Sequence, residues 1–238
     1  MRELLPEPEI ATWHDPDGQR SNVRPGEVHI WRADVPQMLT PAVTATLSEA
    51  ERRYAQRMTS DSAQRQFSAA QAALRTALAR YIGHSPASIE FRRGEHGKPF
   101  LTEQYQSELQ FNLSHSHDLA IVAVTNGSEI GVDLEKVRDR PTAQRLAARF
   151  FADGERAAMD SAPADQRERS FFRLWTRKEG HLKATGTGLS VTLRAIDTLA
   201  PAPAWWYHEF QPAAEYVATL VGTGNRPRVT YWNLQLPT

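Results

Sequence analysis

The residues whose types and spacing could do chemistry fall in two stretches, Gly131-Val132-Asp133-Leu134-Glu135 and Phe171–Leu189, FFRLWTRKEGHLKATGTGL. Asp133 and Glu135 are two apart on an expected strand, so both carboxylates project from one face, and Gly131 leaves room beside them. Two close carboxylates repel, and a hard divalent cation relieves the repulsion. Mg²⁺ takes one or a few carboxylates and fills its remaining sites with water and phosphate oxygens. A solvated strand end is the other reading of the pair. The second stretch reads as a helix that breaks a rule. At about 100° per residue, Phe171, Phe172, Trp175 and Leu182 share one arc, and Arg173, Arg177 and Gly180 fall on the far side. Lys178, Glu179 and Lys183 lie within or beside the apolar arc. A carboxylate on a buried face costs several kcal/mol unless a lysine or a metal compensates it. Glu179 and Lys183 are four apart and neighbours on one surface, so a structural ion pair is one reading. A third acid joining Asp133 and Glu135 is the other. Gly186-Thr187-Gly188 then ends the helix where backbone could approach a ligand.

Further clusters point to phosphate. Phe111–His117 ends a strand in Ser114, His115, Ser116 and His117, whose side chains can donate to phosphate oxygens. No third histidine or cysteine completes a zinc pattern around His115 and His117. Ser114 and His115 are adjacent on a strand and point to opposite faces, which weakens a nucleophile–base reading. Lys98 follows the Gly94–Gly97 turn, and Arg53, Arg57 and Arg65 form another basic group. Together these describe a site for a phosphate-rich ligand plus Mg²⁺.

The elements that must position these residues alternate in type. Residues 1–26 read as a loosely held arm. Val28–Ala33 alternates as a strand. A helical stretch runs from Thr40 to about Arg57, and a second helix, capped by Asp61, carries Phe67, Ala70, Leu74, Leu78 and Tyr81 at helical spacing and stops at Gly83. Strands are expected at Ile89–Phe91, Lys98–Leu101, Leu109–Leu113, Leu119–Val124 and Ile130–Glu135. No helix separates the last three, which predicts antiparallel pairing. Helices follow at about Thr142–Phe151, Gly154–Asp160 and Gln166–Thr185. Strands follow near Val191–Ile196, Trp205–Phe210, Tyr216–Val221 and Val229–Leu234. The fold class is α+β, with two halves, 1–126 and 127–238, each of helices plus a small antiparallel sheet.

The chain has 238 residues, 28 basic and 28 acidic, so nothing global suggests nucleic acid or an anionic membrane as partner. With no cysteine, disulfides, thiolate metal sites and cysteine nucleophiles are excluded. The start, MRELLPEPEI, has Glu and Pro where a signal peptide needs an apolar core. No apolar run approaches the roughly 18 residues of a membrane span. A soluble cytoplasmic protein is expected.

Four ordered motifs, GKPFL at Gly97–Leu101, FNLSHS at Phe111–Ser116, GVDLEK at Gly131–Lys136 and the Phe171–Leu189 stretch, give the chain a family likeness. It resembles the 4′-phosphopantetheinyl transferases of the larger, surfactin-synthetase-activating type. The resemblance implies two similar α+β subdomains related by a pseudo-twofold, with the active site between them, in a monomer. It implies transfer of phosphopantetheine from coenzyme A to a serine of an apo acyl or peptidyl carrier protein, giving adenosine 3′,5′-bisphosphate. By the match, Asp133, Glu135 and Glu179 hold Mg²⁺ (or Mn²⁺) on the pyrophosphate. Glu179 and Lys183 are the catalytic residues: Glu179 helps deprotonate the serine, and Lys183 neutralises phosphate charge. Arg53, Arg65, Lys98, Pro99, Ser114, His115 and Lys178 resemble coenzyme A contacts, as does Lys183. Lys136–Arg149, with Arg138, Arg140 and Arg145, is a candidate docking surface for an acidic carrier protein; a solvated face is the alternative. Gly180 stands where alanine is usual, at a cost of roughly 1 kcal/mol inside a helix. A non-catalytic carrier-binding protein and a Mg²⁺-dependent nucleotide hydrolase are the rival readings.

Overall fold

In a computed structural model, residues 6–18, 20–187 and 193–238 are described. Contacts divide the chain into two units. One comprises Thr12–Glu129 with Pro227–Thr238; the other comprises the residues up to Ala11 with Ile130–Arg226. Division at Asn126–Gly127 leaves each tail in its own half, whereas contacts assign the start of the chain to the second unit and its end to the first.

The first unit is built on a four-stranded sheet. Its strands are β1 (Glu27–Asp34), β4 (Leu109–Ser116), β5 (Leu119–Asn126) and β9 (Arg228–Asn233), in the order β4-β5-β1-β9. β2 (Phe91–Arg93) and β3 (Pro99–Leu101) form a separate hairpin closed by the Gly94–Gly97 turn. The helical stretch expected from Thr40 to Arg57 is two helices, α1 (Pro41–Ala45) and α2 (Glu49–Gln56). Thr40 caps the first, and Ser48 with Glu51 forms a capping box on the second, which interrupts a continuous run. α3 (Asp61–Ile82) lies on the sheet. Its cap is Ser60, whose hydroxyl accepts from Ala63 N–H, rather than Asp61. Ala69, Ala70, Ala72, Ala73 and Ala77 are fully enclosed. Ala70, Ala73 and Ala77 bring the helix axis close to the sheet, where Trp31, Phe111, Val122 and Val124 complete the core, while Ala72 packs on Val43 and Leu47.

The second unit has a three-stranded antiparallel sheet, β6 (Ile130–Lys136), β8 (Tyr216–Thr223) and β7 (Trp205–Phe210), with β8 central. Three helices accompany it: α4 (Ala143–Phe150), α5 (Asp153–Ser161) and α6 (Arg167–Thr185). Phe151, Met159, Phe171, Phe172, Leu174 and Val217 form its core.

Four expectations are corrected. β4 and β5 pair antiparallel as expected, but β6 leaves them and pairs with β8. β6 is buried on both faces from Ile130 to Leu134 and needs a partner sheet on one edge and a helix on its face. The first sheet is not purely antiparallel, because β9 adds parallel to β1 with Glu27 opposite Arg228. That pairing joins strands some 200 residues apart and leaves no local trace. The arm is tied down: Ala11 N–H donates to Gln211 O, His14 N–H to Tyr231 O, and Val23 is 2% exposed. The strand expected near Val191–Ile196 is a short 3₁₀ turn at Leu193–Ala195. Val191 and Thr192 lie outside the described residues, as do Gly188 and Leu189 of the Phe171–Leu189 motif.

Candidate active site

α6 is enclosed on nearly every side. From Phe171 to Ala184, only Trp175, Glu179 and Lys183 are partly open, and these are spaced i, i+4, i+8. The open stripe of the helix therefore carries the acid and the lysine singled out by sequence. Arg173 and Arg177, placed by periodicity on a solvent side, are instead buried at 4% exposure each. Glu209 on β7 explains the difference. Its two oxygens accept from Arg173 Nε at 2.7 Å and Arg177 Nη1 at 2.6 Å, supplying the counter-charge that burial requires.

The acid strand is brought to α6 by a missing side chain. α6 packs on β6 and β8. A Cβ on Gly131 would stand 2.1 Å from the Gly180 carbonyl oxygen and 2.3 Å from the Ala184 nitrogen. Only glycine permits this approach. Gly180 in turn faces Thr219 and Val221, where a Cβ would sit 2.8 Å from Val221 Cγ2. The glycine that departs from the family pattern is accommodated by close packing on β8.

At this contact Lys183 Nζ donates to Asp133 Oδ1 at 2.7 Å and to Val132 O at 3.1 Å. Asp133 is 6% exposed; Glu135, on the same strand face, is partly open. Glu179 makes no hydrogen bond or ion pair among the described residues. Burial holds its carboxyl above the usual range, and the charges of Asp133 and Glu135 push the same way against Lys183. The three carboxylates thus share one electrostatic neighbourhood. Among the described residues no group of three or more histidine, cysteine or acidic side chains is drawn together tightly enough to enclose a metal ion. The donor set fits a hard cation of the Mg²⁺ kind, which needs only one or two protein carboxylates once phosphate oxygens and water complete its shell. α6 ends at Gly186, which takes a left-handed conformation at φ 65° with its N–H on Leu182 O.

Lys178 does not join this group. It is 0% exposed, pairs with Glu155 Oε2 at 2.7 Å, and donates to the carbonyls of Leu193 at 2.8 Å and Ile196 at 2.5 Å. Its three N–H donors are used, so the expected coenzyme A contact is corrected to a buried structural pair. Glu155 also accepts from Ala152 N–H and from the N–H and hydroxyl of Thr198. Sequence reasoning missed Glu155, Thr198 and Glu209. An acid at the third position of α5 looks like an ordinary helix start, and only its total burial separates it from one.

In the first unit the expected nucleotide contacts are scattered over several elements. Arg53 is exposed and bonded to Glu49 at 2.9 Å; Arg65 lies on the first turns of α3, half-buried. Lys98 keeps its side chain 8% exposed, 3.7 Å from Glu129; burial lowers its pKa and Glu129 opposes the shift. Pro99 opens β3. Ser114 is buried and His115 exposed at successive positions of β4, as alternation requires. In the basic segment after β6, Arg138, Arg145 and Arg149 are exposed. Lys136 pairs with Glu215 at 3.6 Å, and Arg140 lies over the rings of Phe171 and Phe172.

The chain is similar to known proteins over most of its length. The family model "4′-phosphopantetheinyl transferase superfamily" matches residues 129–221, and "4′-phosphopantetheinyl transferase, N-terminal" matches residues 30–127. The 4′-phosphopantetheinyl transferase HetI of Nostoc sp. is 37% identical over 218 residues, 87% of this chain and 92% of that protein. A 4′-phosphopantetheinyl transferase of Bacillus subtilis is 37% identical over 120 residues, half of this chain and 51% of that protein. With near-complete coverage by one relative, and with the matched segments holding the acids of β6 and the open stripe of α6, the chain belongs to the 4′-phosphopantetheinyl transferase superfamily.

Proposed function

We propose that this protein transfers 4′-phosphopantetheine from coenzyme A to a serine hydroxyl of an apo acyl or peptidyl carrier protein. The observation that carries the reading is the open stripe of α6: a half-buried, unpartnered Glu179 and a Lys183 bonded to Asp133, on a helix otherwise enclosed, apart from Trp175, from Phe171 to Ala184. Asp133, Glu135 and Glu179 would hold Mg²⁺, which when bound supplies positive charge to the pyrophosphate. Lys183 adds a cation that can turn from Asp133 to a phosphate oxygen. Glu179 accepts the serine proton, directly or through water, and its proton affinity is raised by burial. The serine Oγ forms a bond to the phosphorus that bears pantetheine; the phosphoanhydride bond breaks, and adenosine 3′,5′-bisphosphate leaves. Positioned charge does most of the work in such transfers.

Lys98, Pro99, Ser114, His115, Arg53 and Arg65 are proposed for the nucleotide end of coenzyme A. Arg145 and Arg149, exposed on α4, are proposed to meet the acidic carrier protein. The test is the intact mass of an apo carrier protein incubated with this protein, coenzyme A and Mg²⁺. The expected result is gain of one phosphopantetheine, abolished by EDTA and by Glu179→Gln. Release of free phosphopantetheine without carrier would replace the reading by hydrolysis. Coenzyme A binding with neither product would replace it by a non-catalytic carrier-binding role.

A further inference from the structure

The first unit contains two cavities that none of the expected coenzyme A residues lines. One, of about 440 Å³, is bounded by the arm, β1, β9 and the end of α3, with Arg80, Trp31 and Trp232 in its wall. The other, of about 500 Å³, has Arg24, Arg228 and Thr230 in its wall. They share His14, Asn22, His29 and Trp232. Each is of the size that takes a small organic ligand. Arg65 and Arg80 lie on the same helix, fifteen residues apart, so at 1.5 Å per residue the first cavity is about 22 Å from the expected nucleotide contact along α3.

The two walls differ in chemistry. The first has an aromatic face beside mixed charges, Asp15 and Asp17 with Arg20 and Arg80: Trp31 and Trp232 stack with centroids 5.9 Å apart, and His14 and His29 stand edge-on to Trp232. The second is cationic. Arg24 and Arg228 are exposed, and neither guanidinium has a hydrogen-bond or ion-pair partner among the described residues. The one acid in that wall, Glu27, accepts from Arg24 N–H.

His29, 9% exposed, lines both cavities. Trp31 Nε1 donates to Tyr81 Oη at 2.8 Å, and the same hydroxyl is hydrogen-bonded to His29 Nδ1, also at 2.8 Å. The indole N–H of Trp232 is buried with no hydrogen-bond partner among the described residues, an unfavourable state that an acceptor would relieve.

We propose that the joined cavities bind a small planar aromatic ring carrying one carboxylate or phosphate group. The ring lies against Trp232 and Trp31, and the anion lies between Arg24 and Arg228. This site does not depend on the transferase reading.

The test uses the full chain with saturating coenzyme A, which keeps a nucleotide probe out of the expected coenzyme site. The readout is the ¹⁵N-indole resonance of Trp232, assigned with Trp232→Phe. The probes are 4-hydroxybenzoate and adenosine 5′-monophosphate, with acetate and inorganic phosphate as ringless anions and phenol as an uncharged ring. The expected result is a saturable shift by a ring-bearing anion, with at least ~10-fold tighter binding than any control and a ~10-fold loss in Arg24→Ala/Arg228→Ala. Response to the carboxylate alone identifies an aromatic acid; response to the phosphate alone identifies a nucleotide. Equal binding of ringless anions, binding unmoved by the double variant, or no saturable shift overturns the proposal.

Discussion

Lys178 and Glu179 are consecutive in sequence and belong to two opposite environments of one helix. On the enclosed side, Arg173, Arg177 and Lys178 meet Glu209 and Glu155, and every charge has its counter-charge at 2.6–2.7 Å. On the open stripe, Glu179 stands without a partner and Lys183 leans on Asp133. The same residue types hold the fold in one place and remain available for chemistry in the other. What distinguishes them is saturation: a buried charge whose every donor is spent can only support, whereas a half-buried carboxylate with a raised pKa is poised to take a cation or a proton.

Breaking the enclosed side should cost the most. Lys178→Met leaves Glu155 buried without its cation, and we expect a loss of about 3–5 kcal/mol of unfolding free energy by urea titration. Adding Glu155→Leu removes the stranded charge but leaves the Ala152 and Thr198 donors without their acceptor, so it should recover only part of the loss. A single variant as stable as the parent would mean that the pair does not carry the load assigned to it.

Breaking the open side should do the reverse. Glu179→Gln removes a carboxylate that bonds nothing, so thermal unfolding should stay within a few degrees of the parent. Carrier modification should fall by about 10²–10³-fold, the scale of removing a preorganised charge at a reacting centre. Equal losses of stability and activity would erase the contrast between the two sides.

A pH series sharpens the comparison at the edge of the enclosed belt. His208, next to Glu209 on β7, is pushed down from 6.5 to about 4, chiefly by burial, with Arg226 helping and Glu209 opposing. Arg226 donates to its Nδ1 at 2.8 Å. The folded state resists protonation more than the unfolded chain does. The stabilising contribution of neutral His208 is complete above pH 6.5 and is lost as pH falls towards about 4. We expect the urea midpoint to drop between pH 7 and pH 5, and His208→Gln to flatten that slope. An unchanged slope would assign the acid limb to another group.

The smallest effect is expected at the surface. Arg145→Glu with Arg149→Glu should raise KM for an acidic carrier protein several-fold and leave coenzyme A binding unchanged, because both side chains are exposed and touch neither side of α6's charge system. A carrier KM equal to the parent's would remove α4 from the docking surface.

The sequence by itself determined which residues could act. The i, i+2 spacing of Asp133 and Glu135 and the i, i+4 spacing of Glu179 and Lys183 are local properties, and local periodicity survives folding. For the same reason most helices and strands were legible within a few residues, and the order of motifs was enough to place the family. Only the tertiary structure decided how each charge is spent. Whether Lys178 faces a phosphate or Glu155, whether Arg177 meets water or Glu209, whether β6 pairs with β5 or β8, and that β9 returns to β1, all depend on partners far along the chain. Burial of a charge is settled by where its counter-charge arrives, and pairing of a strand by which edge stays open, and neither is a property of any local window.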